Sequence, residues 1–138
     1  MVPDGYTPGK ILNRRTGSLS FATSNDPAVF WIEARGFITP SLIREELPIV
    51  ESFGREHEEG WDYVVDTTRV RLIHPYNPLL LRKVRKLPNN RRYIIIAPLL
   101  IRFFGRAVSW LIRPTHIVGT LEEALAITEN RLVSNLGK

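Results

Sequence analysis

The chain has 138 residues, the length of one domain built around one hydrophobic core. Hydrophobic residues make up 43% of the chain and charged residues 24%, the ordinary mixture of a soluble globular protein. The chain contains no cysteine, which excludes disulfides, thiol nucleophiles and zinc sites built from cysteine. The first residues, MVPDGYTPGK, lack the apolar segment of a secretion signal, so we expect a cytoplasmic protein.

The net charge of +5 is unevenly distributed along the chain. Residues 1–66 contain eleven acidic and six basic residues, whereas residues 67–121 contain eleven basic residues and no acidic one. Such an asymmetry suits an anionic partner, which could be nucleic acid, lipid headgroups or an acidic protein surface. It equally suits a simpler explanation, in which the basic side chains solvate exposed faces and pair with the acidic half.

The first half of the chain predicts a β-hairpin followed by a helix. Residues 1–18 are rich in glycine, proline and polar side chains, and we expect an irregular N-terminal arm there. The segments SLSFAT and AVFWIEARG have the composition of strands, and SNDP between them that of a turn. Thr39 and Pro40 then mark a helix start, a capping side chain followed by proline at the first helical position. Pro48 predicts a kink or a new start within this helix.

The second half alternates strands with helices. WDYVVD predicts a third strand, followed by a loop over residues 67–78 in which Asn77-Pro78 starts the helix PLLLRKVRKL. RYIIIAP is a continuous apolar run, typical of a strand covered on both faces in a parallel sheet. A helix over residues 98–112, a short strand in THIVG and a helix with the capping box Thr120–Glu123 follow. This order predicts an α/β fold with a single mixed, mostly parallel β-sheet of about five strands and an N-terminal β-hairpin.

Four segments, VFWIEARGFIT, YVVDTTRVRLI, RYIIIAP and IVGTLEEALA, follow one another along the chain. In order and spacing they resemble the STAS domains, named for sulphate transporters and anti-sigma-factor antagonists, and more closely the small soluble group similar to the stage II sporulation anti-anti-sigma factor. The resemblance covers residues 19–130, which we take as the domain, between the arm of residues 1–18 and a C-terminal tail of residues 131–138. It implies helices packed mainly on one face of the sheet, and a non-enzymatic, regulatory role in binding a protein partner.

The same resemblance shows that a regulatory switch is missing. In the family, the strand ends in an aspartate and leads into a D-S-S-G-like motif, whose serine at the helix N-terminus is phosphorylated so that partner binding is blocked. Asp66 matches the aspartate, but HPYNP at residues 74–78 replaces the motif. Residues 69–108 contain no serine or threonine, so the hydroxyl that a phosphoserine switch needs at this helix start is absent.

We therefore predict a docking surface for a protein partner on the 67–78 loop and the basic helices after it. Asp66 and Thr68 are expected to shape the loop, with the aspartate accepting hydrogen bonds from the backbone that follows it. The candidate partner-binding residues are Arg69, Arg71, His74, Tyr76, Asn77, Arg82 and Arg85.

The helix predicted over residues 98–112 is apolar around more of its circumference than one sheet face can bury. Its apolar arc spans about 220°, compared with the roughly 100° face of a helix that lies on a sheet. Neighbouring helices, a second subunit, an apolar ligand or a peripheral membrane surface would cover the excess. We take Phe103, Phe104 and Trp110 as the candidate face for an apolar ligand or a homodimer. The alternative function is thus a carrier or sensor of an apolar small molecule or lipid.

Three other activities have weaker support in the sequence. Asp66, Thr67, Thr68 and His74 could form a catalytic cluster, but no spacing signature marks a nucleophile and its base. The histidines lie in separate segments, so we expect neither a metal site nor a cofactor. Aromatic residues within the basic segment could stack on nucleic acid, but most of them occupy positions that the core needs.

Overall fold

The computed structural model describes residues 3–74, 77–97 and 116–129, which form a six-stranded sheet and three helices. None of these three helices is long and apolar enough to cross a membrane. The elements in chain order are β1 (Thr7–Asn13), β2 (Gly17–Asn25), β3 (Ala28–Ile38), α1 (Pro40–Glu56), β4 (Trp61–Ile73), α2 (Asn77–Arg85), β5 (Asn90–Ile96), β6 (His116–Val118) and α3 (Leu121–Thr128).

The strands lie in the sheet in chain order, from β1 at one edge to β6 at the other. β1, β2 and β3 are antiparallel neighbours, whereas β3 to β6 are parallel neighbours. The predicted hairpin is present, since β2 and β3 pair from Gly17 opposite Gly36 to Asn25 opposite Ala28. The predicted α/β class and mixed sheet are confirmed, with one strand more than expected.

The additional strand, β1, comes from the predicted irregular arm. It pairs with β2 at Thr7 opposite Thr23, and its register shifts between Pro8 and Ile11. A proline is tolerated here because β1 is an edge strand. Only Leu12 of its seven residues is buried, so the segment carries little of the alternation by which strands are recognised. The prediction of an irregular arm is therefore wrong for residues 7–13.

α1 and α2 pack on one face of the sheet and enclose the larger hydrophobic core. α1 continues through Pro48 from Pro40 to Glu56, so the helix does not begin afresh at this proline. The sheet contributes most of the large aromatic side chains of this core: Phe30, Trp61, Tyr63 and Tyr93. The helices contribute Phe53 and aliphatic side chains: Leu42, Ile43, Val50, Leu80 and Val84.

α3 packs on the opposite face, over a smaller core that includes Trp31, Val64 and Ile94. Two of the three described helices thus share one face, in agreement with the predicted arrangement. α3 begins with the predicted cap, because the Thr120 side chain accepts a hydrogen bond from the backbone nitrogen of Glu123 at 3.2 Å.

β4 continues to Ile73, well beyond the strand predicted at WDYVVD. Its second half pairs with β3, and Arg69 lies opposite Arg35 after a register shift. The prediction of a loop is therefore wrong for residues 67–73. The sequence does carry the signal of a strand, since β-branched or apolar residues alternate with arginines in Thr68-Arg69-Val70-Arg71-Leu72.

Candidate functional site

The extended β4 places two arginines beside the end of β3. Arg69 and Arg71 are two residues apart on β4, and the pairing of β4 with β3 shifts register between Val70 and Leu72, so Arg71 lies at an irregularity of the strand. Together with Arg35 they border an open cleft of about 580 Å³. We call this the basic cleft; its lining residues are Thr16, Arg35, Gly36, Thr68, Arg69, Val70 and Arg71.

The three arginines of the basic cleft differ in how their charges are balanced. Arg35 forms an ion pair with Glu33, whose Oε1 lies 2.6 Å from Nε and 2.5 Å from Nη2 of the arginine. Arg69 and Arg71 are exposed, and no described residue forms an ion pair with either of them. Within the described chain, the cleft thus carries two positive charges that no carboxylate balances.

Gly36 allows the loop before β2 to approach β3 at the wall of the basic cleft. Its φ is +74°, in the left-handed region that favours glycine. A Cβ at this position would lie only 2.5 Å from the carbonyl oxygen of Thr16. The same oxygen accepts a hydrogen bond from the backbone nitrogen of Phe37 at 3.0 Å, so it is not free to move away. The position of Thr16 and Arg35 in the cleft therefore depends on this glycine.

Asp66 lies where β5 stops pairing with β4, and its side chain binds the residues that follow. Oδ1 accepts hydrogen bonds from the backbone nitrogen of Thr68 at 2.9 Å and from its Oγ1 at 2.7 Å. The Oγ1 of Thr67 donates to the carbonyl oxygen of Ile96 at 2.7 Å. These contacts are of the kind expected for Asp66, although they shape an irregular stretch of strand rather than a loop.

Asp66 and His74 do not lie in one site. Residues 66–73 belong to a single strand, which advances about 3.3 Å per residue. The two side chains are therefore separated by roughly 20–25 Å along β4, far beyond the roughly 3 Å over which a catalytic proton transfer operates. The catalytic cluster considered from the sequence is wrong.

α2 adds a basic face directly after β4. Leu80 and Val84 are buried against the sheet, and the side chains on the other side of the helix are exposed: Leu79, Arg82 and Lys83. Lys86, directly after the helix, is exposed too. Arg85 differs from them, because it is half-buried and its Nη1 donates to Oδ1 of Asn90 at 2.9 Å. Arg82 is thus available to a partner, whereas Arg85 is engaged in the turn that leads to β5.

Asn77 is buried, which makes its prediction as a partner-binding residue wrong. Its Nδ2 donates to the carbonyl oxygen of Ile38 at 2.6 Å, and its backbone nitrogen donates to the carbonyl oxygen of His74 at 2.9 Å. Asn77 thus ties the start of α2 to the end of β3. The start of α2, which has no serine or threonine to phosphorylate, is therefore occupied by the buried amide of Asn77.

The predicted apolar face of residues 98–112 lies outside the described residues, as does Tyr76. Phe103, Phe104 and Trp110 therefore stay predictions, both as contacts of an apolar ligand and as a homodimer face. Native mass spectrometry would test both, because one measurement reports bound ligand and oligomeric state.

Glu46 and Asp62 are buried carboxyl groups that line no part of the basic cleft and that the sequence did not predict. Glu46 on α1 accepts a hydrogen bond from the hydroxyl of Tyr63, and burial raises its pKa to about 8. Asp62 lies within 3.7 Å of Arg91 and 3.5 Å of Arg92, and burial raises its pKa although both arginines lower it. Within residues 3–74, 77–97 and 116–129, no group of histidine, aspartate and glutamate side chains could hold a metal ion.

Two solved structures are similar to this chain over most of its length. A DUF3478 family protein with a SpoIIAA-like fold from Shewanella loihica PV-4 is 16% identical, with a TM-score of 0.60 over 93% of this chain and 98% of that chain. An anti-sigma factor antagonist from Mycobacterium paratuberculosis is 11% identical, with a TM-score of 0.53 over 92% of this chain and 97% of that chain. The chain has a STAS-like fold. The resemblance found in the sequence is thus confirmed for the fold, whereas no family model and no curated protein matches the sequence. In this STAS-like fold, the basic cleft lies toward the carboxyl ends of the parallel strands β3 and β4.

Proposed function

We propose that this chain is a non-enzymatic regulatory module, which docks a partner protein through residues 67–74 and the exposed face of α2. The observation that carries the proposal is the exposure of two leucines among cations. Leu72 is 57% exposed beside Arg71, and Leu79 is 47% exposed one helical turn before Arg82 and Lys83. One exposed leucine needs no explanation, but apolar side chains within an arginine-rich surface are typical of protein interfaces.

The charge of this region supports a protein partner with an acidic surface. Residues 67–97 contain eight basic residues and no acidic one. Complementary charges steer two proteins together and select against partners of the same sign, even where they add little affinity. Eight of the fourteen acidic residues lie on α1, on the loop after it and on α3, whereas Asp66 directly precedes the basic region on β4.

The fold supports the regulatory part of the proposal. The mycobacterial protein of the same fold is described as an anti-sigma factor antagonist, a name that states an action on another protein. In the present chain, docking would not be gated by serine phosphorylation at the start of α2. Residues 69–108 contain no serine or threonine, and Asn77 at the helix start is buried.

Site-specific photocrosslinking in the source organism tests the proposal. A benzophenone amino acid replaces Leu72 or Leu79, and the matched control carries it in place of Glu122, which is exposed on α3 at the opposite face of the sheet. We expect one discrete adduct with a second protein from the positions on β4 and α2, and none from the control. No adduct at Leu72 and Leu79, or the same adducts from all three positions, would contradict the docking surface.

A further inference from the structure

We propose that the basic cleft binds an extended acidic segment of the partner protein, with two carboxylates at alternate positions bound to Arg69 and Arg71. The inference rests on the proposed function and adds the chemistry of the partner at this cleft. It follows from the charge, the spacing and the strand environment of the two arginines.

The charge of the cleft calls for an anion. Three of the seven lining residues are arginines and none is acidic. Glu33 already neutralises Arg35, so the positive charge open to a ligand is that of Arg69 and Arg71. Guanidinium groups bind carboxylates through two parallel hydrogen bonds, which are stronger than hydrogen bonds between neutral groups.

The spacing of the two arginines favours a segment with two carboxylates over a single compact anion. Arg69 and Arg71 are separated by one residue of β4, which places their α-carbons roughly 6–7 Å apart, and both border the basic cleft although the register of β4 against β3 shifts between Val70 and Leu72. An extended peptide has the same repeat, so carboxylates at alternate positions match the two guanidinium groups one to one. A single phosphate group would require both side chains to converge on one point.

Among the described strands, none pairs with β4 beyond Asp66 on the side away from β3. β5 pairs with β4 only as far as Asp66, which lies opposite Ile96. Among the described residues, the part of β4 from 67 to 73 therefore has a strand neighbour on one side only, which is β3. Peptides commonly bind along such a strand edge, where alternate side chains determine which sequence is accepted.

The test is the fluorescence anisotropy of a labelled peptide with glutamate at alternate positions, titrated with the full chain at low salt. R69Q/R71Q should bind the peptide about a hundredfold more weakly than the wild type, because each arginine–carboxylate pair contributes about tenfold to the affinity. The matched control, K10Q/R55Q, removes the same charge from exposed positions of β1 and α1 and should bind within about threefold of the wild type. Circular dichroism melts verify that each variant is folded. If R69Q/R71Q does not fold, R69K/R71K should show an intermediate loss, because lysine keeps the charge and loses the paired hydrogen bonds.

A second peptide and two competing anions show whether the basic cleft prefers an extended acidic segment to other anions. A peptide of the same charge with its glutamates at every third position should bind more weakly. Inorganic phosphate should compete no better than chloride at equal ionic strength, and vesicles containing phosphatidylserine should not be bound through Arg69 and Arg71. Equal binding of both peptides, equal loss in both double variants, specific competition by phosphate, or vesicle binding that R69Q/R71Q abolishes would each overturn the proposal.

The two proposals fail in different ways. If crosslinking at Leu79 yields no partner while the alternating peptide still binds through Arg69 and Arg71, the docking function is wrong and the cleft remains a site for acidic segments. If crosslinking yields a partner while the peptide binds equally to R69Q/R71Q, the chemistry assigned to the cleft is wrong and the docking surface remains.

Discussion

The hydroxyl of Tyr63 donates a hydrogen bond to the carboxyl group of Glu46 inside the core. Glu46 lies on α1 and Tyr63 on β4, so this bond joins the helix layer to the sheet. Glu46 is only 1% exposed. Burial disfavours its charged form and raises its pKa to about 8, although the hydrogen bond from Tyr63 lowers it. The carboxyl group is therefore largely protonated at pH 7 in the folded protein.

The free energy of unfolding should fall as the pH rises from about 5 to about 8. In this window the folded protein keeps a proton on Glu46 that the unfolded chain has released, because the pKa is about 8 in the fold and 4.5 ordinarily. Since the folded state binds more protons, each pH unit removes up to about 1.4 kcal/mol. Urea denaturation at several pH values across this window measures the slope.

Glu46→Gln should remove this contribution to the slope, because the amide does not titrate. The free energy of unfolding of the variant should lie within about 1 kcal/mol of the wild-type value near pH 5. At pH 8 the variant should be more stable than the wild type. Glu56→Gln, which changes an exposed carboxylate near the end of the same helix, should keep the slope. A slope unchanged in Glu46→Gln would show that another group titrates.

Tyr63→Phe should destabilise the protein and move the titration of Glu46 to higher pH. The change removes the donor to Oε1, and Oε2 of Glu46 has no hydrogen-bond partner among the described residues. Leaving a buried polar group unsatisfied costs about 1–3 kcal/mol. The hydrogen bond from Tyr63 lowers the pKa of Glu46, so its loss should raise that pKa further. Urea denaturation of Tyr63→Phe at several pH values should show the free energy of unfolding still falling above pH 8. If the free energy of unfolding stops falling at the same pH in the variant and in the wild type, Tyr63 does not influence the pKa of Glu46.

The elements that the sequence predicted correctly are those whose signals come from neighbouring residues and match their burial in the fold. The turn before β3, the cap at Thr120 and the apolar run of β5 each act through neighbouring residues, and each was predicted. β1 was missed because an edge strand with one buried residue has hardly any pattern. The second half of β4 was missed because the strand was expected to end at Asp66, the match to the aspartate that ends it in the family that the sequence resembles, although arginines alternate with Val70 and Leu72 as in a strand.

The candidate site was less predictable than the fold, because it depends on which polar side chains are buried. Asn77 follows the rule for a helix start, yet nothing local shows that its amide points inward to the carbonyl oxygen of Ile38. Glu46 falls at helical spacing from Leu42, Ile43 and Val50 on the buried face of α1. That spacing predicts burial, but only the position of Tyr63 on another element explains why a carboxyl group is tolerated there.

Asn77→Ala should lower the free energy of unfolding by about 1–3 kcal/mol, although the residue follows directly after the proposed docking segment. The change removes the donor to the carbonyl oxygen of Ile38 and leaves that oxygen without this bond at the start of α2. Arg82→Ala, at an exposed position of the same helix, should change stability by no more than about 0.5 kcal/mol. Thermal denaturation of both variants is the measurement. Similar, small effects in both would mean that Asn77 is not held as the structure shows.

Asp66→Ala should cost about 0.5–2 kcal/mol, the range of a lost capping interaction, because Thr68 loses the acceptor of both its backbone nitrogen and its hydroxyl. Asp66→Asn keeps an acceptor oxygen at the same place and should cost clearly less. Thr68→Val removes the hydroxyl donor, so the double variant with Asp66→Ala should lose less than the two single changes combined. Urea denaturation of the four chains gives this coupling. If Asp66→Asn cost as much as Asp66→Ala, the negative charge of Asp66, rather than its hydrogen bonds to Thr68, would be what stabilises β4.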